Sequence, residues 1–206
     1  GGYLEAQYTV GMCWWRGGLG FGEGGSSASA SSSWLAGAPD RSKALLWLKK
    51  AANRGHAKSQ FHVGELLHEI ETQKYRPSSS ASSVGGGGGL GHAPLGPAPP
   101  EALKWYKMAS AQGQKEAQYN LGCCLVAQGQ LAKAVGLWRQ AAAQGHPRAQ
   151  FNTGAAFEHG DGGLEASPGE AAKHYAWAAR QGVTEAAHAL EALRHRHPRL
   201  ALPPVD

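Results

Sequence analysis

The chain has 206 residues, 30 of them glycine, and only 17% are charged; the usual shares are ~7% and ~25%. Lys and Arg number 20 against 15 Asp and Glu, a net charge of +5. The clusters Lys49, Lys50, Arg54, Lys58 and Arg194, Arg196, Arg199 read as solvated faces, which argues against a nucleic-acid partner. No run of eighteen apolar residues is present, which excludes a spanning helix, and the glycines lack a collagen period. Three cysteines, Cys13, Cys123 and Cys124, cannot build a disulfide scaffold and favour a reducing, cytoplasmic compartment.

In chain order, Gly2–Gly11 reads GYLEAQYTVG, the closing part of a motif that recurs downstream. Residues 12–40 are rich in Gly and Ser, with a run at Ser26–Ser33, and are expected to form a disordered insertion. Trp47–Gly64, WLKKAANRGHAKSQFHVG, is the first full copy of the motif. A second Gly/Ser/Pro-rich insertion follows over about 75–100, including Gly85–Gly89. The clearest copy is Trp105–Gly122, WYKMASAQGQKEAQYNLG, followed by Leu137–Gly154, LWRQAAAQGHPRAQFNTG. His174–Glu191, HYAWAARQGVTEAAHALE, is degenerate. The array spans residues 1–194, and residues 195–206 form a basic, Pro-containing tail. Because the chain opens at Gly1, without Met and inside a copy, it reads as a fragment, and a targeting segment upstream stays open.

The copies align without gaps. Gly2, Gly55, Gly113, Gly145 and Gly182 each have Ala or Ser four residues later, and nine residues later comes Gly11, Gly64, Gly122, Gly154 or, breaking the series, Glu191. Before each first glycine, large apolar groups and paired alanines recur at helical spacing; Ala134, Leu137, Trp138, Ala141 and Ala142 share one face. The glycine then sits where a helix ends in a left-handed residue, and a second helix opens through Ala117, Leu121 and Leu125 or their equivalents. Such a hairpin cannot cover its own apolar face, so neighbours must stack on it. The compact period is 32 to 37 residues. Both insertions fall between the first helix of a unit and its second, where a projecting loop breaks no stacking contact.

The pattern AAxxGxxxAQYxLG, carried by Trp105, Tyr106, Ala109, Gly113, Ala117, Gln118, Tyr119, Leu121 and Gly122 and their counterparts Gly55, Gly64, Trp138, Gly145, Gly154 and Gly182, resembles the Sel-1-like repeat. That family is a relative of the tetratricopeptide repeat with a longer and more variable loop. The resemblance implies an all-α solenoid of helix-turn-helix units, with the fourth copy, lacking its Gln and Gly, as a capping unit. It further implies a non-enzymatic adaptor or scaffold, a monomeric array that binds proteins or peptides. The alternative is that these are accessory or substrate-recognition repeats of a larger protein whose N-terminal F-box or catalytic domain lies outside this chain.

No reaction site assembles from the remaining residues. His56 and His146 share one repeat position past a helix-ending glycine and read as turn residues. His62 and His68 are too far apart along a helix to ligate one metal, and His195 and His197 lack a third partner. Cys123 and Cys124 read as small buried residues, and neither a phosphate loop nor a nucleophile elbow occurs. The expectation is no catalytic group, no cofactor and no metal. One column stands out: the residue after each aromatic is Thr9, His62, Asn120 or Asn152. If the first helices line a concave face, His62, Asn120 and Asn152 are the candidate partner-binding residues. The other role that fits is bonding between neighbouring repeats.

Overall fold

The computed structural model describes residues 2–17, 39–74 and 98–198. These form nine α-helices and no strand among the described residues: α1 (Gly2–Arg16), α2 (Arg41–Ala52), α3 (Ala57–Lys74), α4 (Pro100–Ala111), α5 (Lys115–Ala127), α6 (Leu131–Ala143), α7 (Pro147–His159), α8 (Pro168–Arg180) and α9 (Thr184–Arg196). Each helix packs mainly on its neighbours in sequence. The chain is thus an α-solenoid in which two series of helices alternate, α1, α3, α5, α7 and α9, termed inner, and α2, α4, α6 and α8, termed outer.

The turns follow from the glycines. At the end of α4, Gly113 takes φ +83°. Its N–H reaches the Ser110 carbonyl at 2.9 Å, and the Gln114 N–H reaches the Ala109 carbonyl at 3.2 Å. This pair of bonds satisfies carbonyls that a helix end otherwise leaves open, and only glycine adopts the required left-handed conformation without strain. Gly55, Gly145 and Gly182 repeat it. Gly2 does not: it opens α1, because no helix precedes it among the described residues.

The second glycine series has a different cause. These residues are ordinary helical positions on the inner helices, and each faces a bulky side chain from the next outer helix. A Cβ on Gly11 would lie 2.7 Å from Leu48, one on Gly64 2.7 Å from Tyr106, and one on Gly154 2.8 Å from Tyr175. On Gly122 it would overlap the indole of Trp138. That indole is 2% exposed, and its N–H donates to the Tyr119 carbonyl at 3.3 Å, one turn before the glycine. The missing Cβ is therefore a socket for a bulky side chain of the following helix. At the same place on α9 stands Glu191, which is exposed; no helix packs there among the described residues, so no socket is needed.

A polar ladder runs beside the sockets. Gln60, Gln118 and Gln150, the Gln of each AQY or AQF or its equivalent, are buried. The amides of Gln60 and Gln150 donate to the Ala52 and Ala142 carbonyls of the preceding outer helix. The Gln that precedes the turn glycine of the next outer helix closes the ladder: Gln112 donates to Gln60 at 2.7 Å, Gln144 to Gln118 at 2.8 Å, and Gln181 to Gln150 at 2.6 Å. In the first unit that donor position holds Arg54, which instead lies over the Tyr3 ring. The Oε1 of buried Gln7 is correspondingly left without a partner among the described residues.

Two boundaries differ from the sequence reading. The first insertion was expected from residue 12, yet α1 continues to Arg16. Met12 and Trp15 pack on the cluster of Leu48, Ala52, Val63 and Trp105, so apolar contact extends the helix beyond its motif. Helix α9 likewise reaches Arg196, two residues past the expected end of the array. The glycine- and serine-rich stretches expected to be disordered, and most of the tail, lie outside the described residues.

The sockets make opposite forecasts for two glycine-to-alanine changes. Gly122→Ala should cost about 1–3 kcal/mol, the usual penalty of overpacking a core. Gly136→Ala, on α6 where an added Cβ meets nothing within 4 Å, should stabilise by about 0.5–1 kcal/mol through helix propensity. Urea denaturation of both variants checks this, and similar shifts in the two would count against the socket.

Candidate functional site

The inner helices carry a groove of about 460 Å³ between α1, α3 and α5, floored by Tyr106 and Asn120 and walled by Trp15, Glu65, Glu69, Thr72 and Gln73. Its wall exists because α3 has 18 residues where α5 and α7 have 13. The extra length, residues 70–74, carries Thr72 and Gln73 past the stacking contacts, with Glu69 just before it. Glu69 accepts from Arg41 at 2.6 Å, an exposed pair worth little by itself.

The polar column divides by position. Asn120 faces the groove and bonds through its side chain to Tyr106, whose phenol burial pushes far above the ordinary tyrosine range. His62 is a strut between units. The Tyr8 hydroxyl donates to its Nε2 at 3.2 Å, its Nδ1–H donates to Glu65 at 2.9 Å, and Trp15 meets it edge-on. Asn152 is buried, 4% exposed, with its Oδ1 unpartnered among the described residues. Thr9 is exposed and donates to the Glu5 carbonyl of its own helix. The four residues therefore share a register without sharing an environment. Trp15, Thr72 and Gln73 were not anticipated. The only signal for them was that helix-forming sequence continues past the motif, through Trp14-Trp15 and through Glu69–Lys74.

The histidines past the glycines are helix caps. His146 Nδ1 accepts the Ala149 N–H at 3.1 Å, and His56 Nδ1 accepts the Ser59 N–H at 3.3 Å. The proton of each neutral ring then sits on Nε2, which in His56 donates to Glu5. Each ring also lies against the aromatic of an inner helix: His146 stacks on Tyr119 at 4.6 Å, and His56 tilts on Tyr8 at 5.3 Å. Burial lowers the His146 pKa to about 4 and lowers that of His174 as well. The thiols are inert for a similar reason: burial raises Cys123 and pushes Cys124 up to about 11, away from the thiolate a nucleophile needs. Among the described residues, no three His, Cys, Asp or Glu side chains gather as metal ligands, and no helix is long and apolar enough to cross a membrane.

The Sel1 repeat family model matches residues 35–56, 89–114, 115–146 and 147–183. The two complete matches span α5–α6 and α7–α8, whereas the two short ones reach only α2 and α4, the second helices of the units split by insertions. Among solved structures the chain is similar to a Sel1 repeat protein from Oxalobacter formigenes, at 25% identity and a TM-score of 0.59, over 92% of this chain and 63% of that one. The chain thus spans less than two thirds of that relative's length. It is also similar to c5321, a protective antigen present in uropathogenic Escherichia coli strains displaying an SLR fold, at 20% identity and a TM-score of 0.45, over 94% of this chain and 41% of that one. No curated protein matches the chain.

The His146 cap sets a pH dependence. Its folded-state pKa, about 4, lies below the ordinary 6.5, so the unfolded chain takes up the proton first. Stability is full above pH 6.5 and is lost as pH falls toward 4. His146→Asn keeps a side-chain acceptor at the cap and should flatten part of that loss. Urea midpoints at about pH 7.5 and 4.5, on either side of that titration, test this; an equal drop for variant and parent would rule the cap out as its source.

Proposed function

The chain belongs to the Sel1 repeat family, and from that premise we propose that it is a non-enzymatic protein-interaction scaffold whose inner groove receives an extended segment of a partner. Sel1 repeats are in general protein-interaction modules, which is the coarse part of this reading. The finer part is carried by one observation: the groove between α1, α3 and α5 is lined by Asn120, Thr72 and Gln73, none of which belongs to the sockets or the Gln ladder. Among the described residues Thr72 and Gln73 bond within α3, to the His68 carbonyl and to Glu69. An amide and a hydroxyl at that spacing can pair with peptide N–H and C=O groups, and the Trp15 ring supplies apolar contact beside them. His62 and Asn152 enter this proposal differently. His62 holds Glu65 at the groove wall, and Asn152 lies beneath the surface.

The test is a comparison of partner sets captured by the parent chain and by the double variant Asn120→Ala/Gln73→Ala. The variant leaves sockets and ladder intact and removes one hydrogen bond to Tyr106, so it should stay folded and lose only about 1 kcal/mol of stability. The proposal expects at least one partner to bind the variant about tenfold or more weakly, a loss of about 1.4 kcal/mol or more. Identical partner sets at equal affinity would reject the groove as the binding face.

A further inference from the structure

The outer helices form a second face with its own chemistry. Together α2, α4, α6 and α8 carry ten Lys and Arg and two Glu, whereas the inner helices carry seven and eight. Both outer glutamates are already paired, Glu101 with Lys49 and Glu170 with Lys173, each at 2.7 Å. An open pocket of about 330 Å³ lies on this face between the ends of α6 and α8, with Ala142, Ala143 and Gly145 as its apolar floor. The ring of Trp177, 45% exposed, and the guanidinium of Arg180 border it.

Neither bordering residue is asked for by the fold. At the position of Trp177 the other outer helices have Lys50, Met108 and Gln140, and at that of Arg180 they have Asn53, Ala111 and Ala143. Stacking therefore accepts almost any side chain at both sites. The polar base of the pocket is closed internally, since Gln181 donates to Gln150 at 2.6 Å. Arg180 has no acidic partner among the described residues, nor has Arg139, whose charge acts together with Lys173 on the His174 ring packed edge-on against Trp177.

We propose that this pocket is a docking site for an acidic peptide segment bearing one aromatic or large apolar anchor. The anchor sits on the Ala/Gly floor against Trp177, and its flanking carboxylates pair with Arg180 and Arg139. The surface fits such a peptide better than a bilayer or a nucleic acid. Its exposed apolar side chains, Leu46, Met108 and Trp177, stand singly, one to a helix, and among the described repeats this one combines a floor, a ring and an unpaired Arg. The inference goes beyond the inner groove and does not depend on it.

The experiment uses the whole chain labelled with 5-fluorotryptophan, its Trp177 resonance assigned from Trp177→Phe. The probe is a short peptide of Asp and Glu around one central Phe. The expected result is a saturable shift of the Trp177 fluorine signal that weakens with added salt. Replacing the acids by Asn and Gln, or Phe by Ser, should lower affinity at least tenfold. Arg180→Ala and Trp177→Ala should each do the same, the latter read from peptide fluorescence anisotropy, with melting unchanged because both residues are exposed. Asn120→Ala should leave peptide binding intact, so the groove and the pocket fail or stand separately. No saturable shift, equal binding of the amide peptide, or a shift produced only by poly(U) or by phosphatidylserine vesicles would overturn the proposal.

Discussion

The stack depends on one steric fit: a glycine on each of α1, α3, α5 and α7 that leaves room for the bulky side chain of the next outer helix. Protein interiors tolerate neither voids nor overlap, so a missing Cβ on one helix and a bulky side chain on the next specify each other. The contact joins residues such as Gly122 and Trp138, which lie on successive helices of the solenoid. It fixes how deeply neighbouring helices interpenetrate, and the register of everything else follows. The Gln ladder can close only because the sockets bring Gln112 to Gln60, Gln144 to Gln118 and Gln181 to Gln150. Buried amides left unpaired would cost about 1–3 kcal/mol each, so the ladder penalises any slip of the stack.

Once sockets and ladder have taken the small and the amide residues, the two faces are free to differ. The inner face keeps mixed charge and gains depth where α3 overshoots its neighbours. The outer face collects the cations. A chain that alternates inner and outer helices mixes these charges along its length, so the interspersed Lys, Arg and Glu of the sequence conceal a partition that only the alternation reveals. Sel1 units thus offer two surfaces per stack, and residues that stacking does not constrain, such as Trp177 and Thr72, are where individuality can accumulate.

How much of this was readable beforehand depends on the range of the interaction. The helix-ending role of Gly113 and Gly145 was legible because the whole motif lies within a few residues. The recurrence of Gly122 and Gly154 nine residues after those glycines was legible from the period alone. The polar column was not, because a side chain's fate is decided across units. His62 is consumed by Tyr8, 54 positions earlier, and Asn152 by burial, while Asn120 keeps a face on the groove. Trp15 lies in a stretch that reads as the start of a glycine-rich insertion, whereas apolar packing on the cluster of Leu48 and Val63 carries α1 through it.

The central claim is that glycine and ring form one unit rather than two independent good residues. A double-mutant cycle on Gly122→Ala and Trp138→Val, followed by urea denaturation, tests it most directly. Shortening the ring vacates the space that the new methyl needs, so the alanine should cost much less alongside Trp138→Val than in the parent. The account predicts a coupling of about 1 kcal/mol or more, within the ~0.5–3 kcal/mol seen for residues in contact. Additive costs, with Gly122→Ala equally damaging beside either side chain, would contradict it.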